Sequence, residues 1–94
     1  MIARTWRAAT RRGAADHYIN YMLGTGFKEY RETGGNLGVV ALPRLADDRA
    51  EFLFISFWKS IDAVRRFAGD EYGRAAFYPD DDAYLIDRDL HVDH

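Results

Sequence analysis

Residues 52–58 read Phe52-Leu53-Phe54-Ile55-Ser56-Phe57-Trp58, the densest apolar run of the chain. Side chains of a strand alternate between the two faces of its sheet. One face therefore receives Phe52, Phe54, Ser56 and Trp58; the other receives Leu53, Ile55 and Phe57. Both sets are apolar, so both faces need cover. A 94-residue chain with about two helices covers one face by itself. The second cover is expected from another copy of the chain, a homodimer packed sheet to sheet.

Working outward, Ala50 to Lys59 is the strand that holds this run. Arg44 to Arg49, with Asp47-Asp48, reads as a hairpin loop. Leu37 to Leu42 reads as the preceding strand, with Pro43 near its end or on an edge. Thr33-Gly34-Gly35-Asn36 ends a helix predicted over about Ala14 to Glu32. The apolar positions Ala15, Tyr18, Ile19, Met22, Leu23, Phe27 and Tyr30 follow the three-and-four spacing of one helical face. Gly24 and Gly26 predict a kink, a fray or a close backbone approach there. Ile2 to Thr10 is a strand with Ile2, Arg4, Trp6 and Ala8 on one side.

After the apolar run, Ser60 is an N-cap and Asp62 complements the helix dipole. Ile61, Val64, Phe67 and Ala68 form the buried stripe of that helix, and Gly69 stops it. A short further helix is expected over Glu71 to Phe77. Tyr78 to Asp82 is expected as a turn, and Ala83 to His94 as an alternating last strand. The order strand, helix, strand, strand, helix, strand predicts one α+β domain over residues 1–94. It is ferredoxin-like, βαββαβ, with a four-stranded antiparallel sheet and the first and third strands central.

Composition narrows the function classes. The formal charge is −2 and the hydrophobic share 48%. No basic stripe points to nucleic acid, and no cationic cluster points to a membrane surface. The chain has no cysteine, which removes disulfides and thiolate chemistry and suits a cytoplasmic protein. The start of the chain has no long apolar stretch, so no signal peptide is expected. No window is long and apolar enough for a transmembrane helix. Gly34-Gly35-Asn36-Leu37-Gly38 follows a helix rather than a strand and does not fit a phosphate loop.

The order of elements resembles the antibiotic-biosynthesis monooxygenase superfamily, the dimeric α/β-barrel proteins. Its sharpest local carrier is Phe57-Trp58-Lys59-Ser60-Ile61-Asp62-Ala63-Val64-Arg65-Arg66-Phe67, a strand that ends in Trp followed by a Ser-led helix. Gly35-Asn36-Leu37-Gly38 and Phe67-Ala68-Gly69-Asp70-Glu71-Tyr72 support it. The resemblance implies cofactor-free oxygenation of aromatic polyketides, quinol oxidation, heme degradation, or roles not understood. The heme branch implies a helical Trp where this chain has Phe67 and an axial His where it has Phe77, so heme is not expected.

The cofactor-free branch implies a closed apolar pocket and polar groups that stabilise an anion or take a proton. Its candidate walls are Trp6, Tyr18, Tyr21, Met22, Phe54, Trp58, Phe67, Tyr72, Phe77 and Tyr78. The candidate polar groups are Arg4, Arg7, His17 and His91, of which Arg7 and His91 are the catalytic candidates. The substrate expected is a small hydrophobic aromatic or quinol-like molecule, with no metal or other cofactor.

Each candidate has a plain structural reading. Trp6 and Trp58 are also core or dimer-contact residues. His17 beside Asp16 is read as a solvated surface histidine. His91 sits among Asp87, Asp89 and Asp93 and is either a base, an interface residue or solvated. His91 and His94 point to opposite faces and do not share a metal. Asp80-Asp81-Asp82 lacks the spacing of a calcium loop and is read as a solvated turn. Tyr72 to Tyr78 is either a pocket lid or a core cover. Two further functions stay open: a non-catalytic binder of a small hydrophobic molecule, and a structural dimerisation domain. A cavity of roughly 300 Å³ or more between helices and sheet would separate the ligand-using readings from the structural one.

Overall fold

The computed structural model describes residues 1–94. Strand β1 (Ile2–Arg11) leads through a 3-10 turn (Arg12–Ala14) into helices α1 (Ala15–Gly24) and α2 (Gly26–Glu32). Strands β2 (Asn36–Ala46) and β3 (Arg49–Trp58) follow as a hairpin. Helix α3 (Ile61–Ala68), helix α4 (Asp81–Tyr84) and strand β4 (Leu85–Arg88) complete the order. The sheet is antiparallel with four strands in the order β2-β3-β1-β4. The chain is thus α+β, compatible with a ferredoxin-like arrangement, and its first and third strands are central.

Strand β3 alternates without interruption. Ala50, Phe52, Phe54, Ser56 and Trp58 are buried, and the residues between them are half-exposed. Register carries the same division to β1, where Ile2 pairs Trp58, Arg4 pairs Ser56, Trp6 pairs Phe54 and Ala8 pairs Phe52. Tyr18, Met22 and Phe27 from the first helical segment and Ala63 and Val64 from α3 are buried, the first three packed with β3 residues Phe52 and Phe54, the last two with Trp58. The rear face presents Leu53, Ile55 and Phe57 between Ala3, Thr5 and Arg7 of β1 and Val40 and Leu42 of β2. Val40 is 40% and Leu42 47% exposed. Within one chain, nothing covers this face.

The single helix expected over 14–32 is broken at Thr25, whose backbone leaves the helical region (φ −123, ψ −95). The Thr25 hydroxyl donates to the Tyr21 carbonyl at 2.9 Å, which satisfies an acceptor the break sets free. Gly26 is the close approach: a Cβ there would lie 2.9 Å from Met22 Cε and 3.4 Å from Tyr78 Cε2. Ser60 caps α3 as expected, accepting from the Ala63 N–H at 3.2 Å, and Gly69 ends it at φ 79.

Three local expectations are corrected. The hairpin loop is only Asp47-Asp48, because β2 continues through Pro43 to Ala46. Strand β2 is an edge strand, where proline is tolerated. No helix forms over Glu71 to Phe77. Its backbone bonds to the last segment instead, Ala75 N–H to the Leu90 carbonyl and Val92 N–H to the Gly73 carbonyl, each at 2.9 Å. The last strand is not continuous over 83–94. It pairs with β1 over Leu85–Arg88, where the register shifts between Ala9 and Thr10 and skips Ile86. It rejoins β1 where Thr5 and Asp93 exchange backbone bonds of 2.9 and 3.0 Å. Leu85 and Val92 are the buried residues there, while Ile86 (48%) and Leu90 (63%) are exposed. The Trp6 indole bonds the Asp89 carbonyl at 2.6 Å across this irregular stretch.

Candidate functional site

The helix-facing side of the sheet is a continuous field of rings. Trp6 stacks on Phe54 with centroids 5.5 Å apart, and Phe54 stacks on Phe52 at the same distance. Tyr18 and Phe27 stand edge-on to Phe54 at 6.1 and 5.7 Å. Toward the end of β3, Tyr30 stands edge-on to both Phe67 (4.6 Å) and Trp58 (5.9 Å). Such edge and offset contacts add to the burial of each ring. The Trp58 indole donates to Ser56 Oγ at 2.9 Å. Of the walls expected from the sequence, Trp6, Tyr18, Met22, Phe54 and Trp58 are buried together in this field. Phe67, Tyr72, Tyr78 and Tyr21 are half-buried around it, and Phe77 is 42% exposed. These side chains fill the space between helices and sheet. The two cavities of the molecule lie elsewhere.

The catalytic candidates Arg7 and His91 are not brought together. Arg7 lines a groove of about 410 Å³ with Arg44, Arg49, Glu51 and Asp87. His91 lines a separate cavity of about 280 Å³ with Arg74, Ala75, Phe77 and Leu90. His17 is exposed on α1.

Arg4 is the polar group that the fold does carry inside. It is 4% exposed, because register places it with Ser56 on the buried face of the two central strands. Its guanidinium donates to the Tyr72 carbonyl and, at 3.2 Å, to the Arg74 carbonyl. It lies 5.8 Å above the Phe67 ring. His94 Nε2 lies 3.2 Å from Arg4 Nη1 and accepts from it as a neutral imidazole. Partial burial and the Arg4 charge both hold the His94 pKa below its ordinary value. Burial also lowers Arg4, with the Tyr30 hydroxyl opposing that effect. No carboxylate pairs with Arg4.

A second polar centre lies between α1 and α4. Asp81 is 2% exposed, so the reading of 80–82 as a wholly solvated turn is corrected. Its Oδ2 accepts from the Tyr78 N–H at 2.7 Å. Tyr18 is 0% exposed, and its hydroxyl and Asp81 Oδ1 have no hydrogen-bond partner. Burial holds the Asp81 pKa above the ordinary carboxylate range. Burial, then the Asp81 charge, raises the Tyr18 phenol. Tyr78 is raised by burial and by donating to Glu29 at 2.6 Å.

Arg4 was legible as a charge on the apolar side of a central strand. Asp81 had no signal, since its neighbours in sequence are the same residue. No protein-family model matches the chain, and no curated protein matches it. No helix is long and apolar enough to cross a membrane.

Proposed function

We propose that the chain is one subunit of a cytoplasmic homodimer of the antibiotic-biosynthesis monooxygenase type. It oxidises a small hydrophobic aromatic or quinol-like substrate with molecular oxygen and without metal or flavin. The observation that carries this reading is Arg4, a buried cation among aromatic rings with no carboxylate partner. A fixed guanidinium of this kind is a preorganised counter-charge for an enolate or phenolate. The anion gives one electron to oxygen, and the radical pair combines to form a carbon–oxygen bond. The resulting hydroperoxide loses water to leave a carbonyl. One oxygen atom ends in the product and the other in water. Substrate reaches this interior by displacing the aromatic cover formed by Tyr72 to Tyr78.

The test is oxygen consumption by the purified dimer with a panel of anthrols and hydroquinones. The reading predicts uptake with at least one of them. Arg4→Met lowers the rate by about 100-fold or more, while Arg4→Lys keeps part of it. Absence of uptake across the panel by the wild-type protein contradicts the reading.

One observation favours a second reading. The rings fill the helix side, and no cavity lies there. Under that reading the chain is a structural dimerisation domain without chemistry, and a small-molecule binder would have to part the same rings. A ligand-induced rise in melting temperature without oxygen uptake supports binding; neither effect supports dimerisation alone.

A further inference from the structure

The rear face of the sheet carries the larger cavity of the molecule, a groove of about 410 Å³. That volume lies in the range of small-molecule sites. Its cause is Ala9, whose methyl group stands in one row between Glu51 of β3 and Asp87 of β4, where a longer side chain would fill the space. The charges around the groove can be followed one by one. Arg44 donates to Glu51 at 2.5 Å, Arg49 lies 3.3 Å from Asp87, and Arg88 pairs with Asp82 outside the groove. Two charged residues of the lining are left over, Arg7 and Asp89. Neither forms an ion pair. The Asp89 N–H donates to the Arg7 carbonyl at 3.0 Å, which sets the two residues side by side on adjoining segments. Arg7 pairs in turn with Leu53, and Leu53 with Leu42. One row across the sheet therefore runs from two apolar side chains to a free cation and a free anion, with neighbouring strands about 4.8 Å apart.

We propose that this groove binds an α-amino acid with an apolar side chain: Arg7 donates to its carboxylate, Asp89 accepts from its ammonium, and its side chain lies over Leu53 and Leu42. Both polar contacts are between ionised groups, the stronger class of hydrogen bond. A simple anion would satisfy Arg7 but meet the charge of Asp89, and a simple cation the reverse, so the two together select a zwitterion. The groove lies on the opposite side of the sheet from the ring-filled interior, and the proposal stands apart from the oxygenase reading. Val40, Ile55 and Phe57 occupy the other end of the same face. A second copy seated on them leaves the groove open at the rim of the dimer.

The experiment is isothermal titration calorimetry of the intact protein with L-leucine, with 4-methylpentanoate, which lacks the ammonium, and with 3-methylbutylamine, which lacks the carboxylate. The site predicts that leucine binds roughly fivefold or more tightly than either analogue. Arg7→Gln brings leucine down to the level of the amine, and Asp89→Asn brings it down to the level of 4-methylpentanoate. Both side chains are exposed, and the Asp89 carbonyl that holds the Trp6 indole is kept in the second variant, so neither substitution disturbs the fold. Arg11→Gln, on the same face but outside the groove, leaves leucine binding unchanged. Absence of leucine binding by wild-type protein, or equal binding of the three probes, overturns the proposal without any variant. Leucine binding that survives both Arg7→Gln and Asp89→Asn overturns it as well. So does a loss in Arg11→Gln as large as that in Arg7→Gln, which would mark a diffuse effect of charge and not a site.

Discussion

Asp81 has the same side chain as Asp80 and Asp82, yet it alone of the three is buried. A run of three aspartates gives no hint of which one turns inward; that depends on where α4 meets Tyr18 and Tyr78. Its folded-state pKa is raised above the unfolded one, so folding takes up protons between the two values. Relative to Asp81→Asn, the wild type is therefore at its best in acid, where Asp81 is protonated. It loses ground as pH rises from the ordinary carboxylate value of about 3.9 through the raised value of Asp81. The Asn variant, which keeps an acceptor for the Tyr78 N–H, is expected to melt higher than wild type at neutral pH. Its advantage should vanish in acid. Melting curves of both proteins across that pH range check this; a constant difference, or a destabilised variant at neutral pH, contradicts the buried ionised carboxylate.

At the level of elements, β3 was legible because its pattern is purely local. Alternation over Phe52 to Trp58 sorts the residues into two faces without knowledge of any partner, but both sets are apolar, so which of them meets the helices was not legible there. Ser60 and Gly69 likewise mark α3 by rules internal to the chain. The stretch from Asp70 to His94 was not legible in this way. Its backbone partners are distant in sequence: Arg4 holds the carbonyls of Tyr72 and Arg74, and Trp6 holds that of Asp89. Helix propensity over Glu71 to Phe77 loses to those bonds. The same contrast divides the candidate residues: the helical spacing of Tyr18 and Met22 and the shared strand face of Phe54 and Trp58 were legible, and the convergence of Arg4 with Tyr72 and His94 was not. The turn between α2 and β2 offers an element-scale test. Gly35 has a φ of 93, and Gly35→Ala places a methyl group 2.5 Å from Ala63 Cβ on α3. Strain and crowding of this kind cost about 1–3 kcal/mol, which chemical denaturation would read as a lower midpoint with unchanged slope. Wild-type stability in this variant would mean that Gly35 is an ordinary turn residue and not a close contact.

For the whole molecule, the decisive feature is the asymmetry of the two sheet faces. The helices bury Phe52, Phe54, Ser56 and Trp58, while Leu53, Ile55 and Phe57 lie half-exposed beside Val40 and Leu42. The groove at the margin of that face mixes Arg7, Arg44 and Arg49 with Glu51 and Asp87. A two-fold copy of such a surface meets itself with apolar centre on apolar centre and both signs of charge at the rim. Both the oxygenase reading and the structural one rely on that second copy to close the rear of the sheet. Sedimentation velocity at micromolar concentration measures it directly. The account predicts one species of twice the 10.8 kDa chain mass, reduced to a folded single chain by Ile55→Lys. A stable wild-type species of 10.8 kDa, with the apolar rear of its sheet open to water, would contradict it.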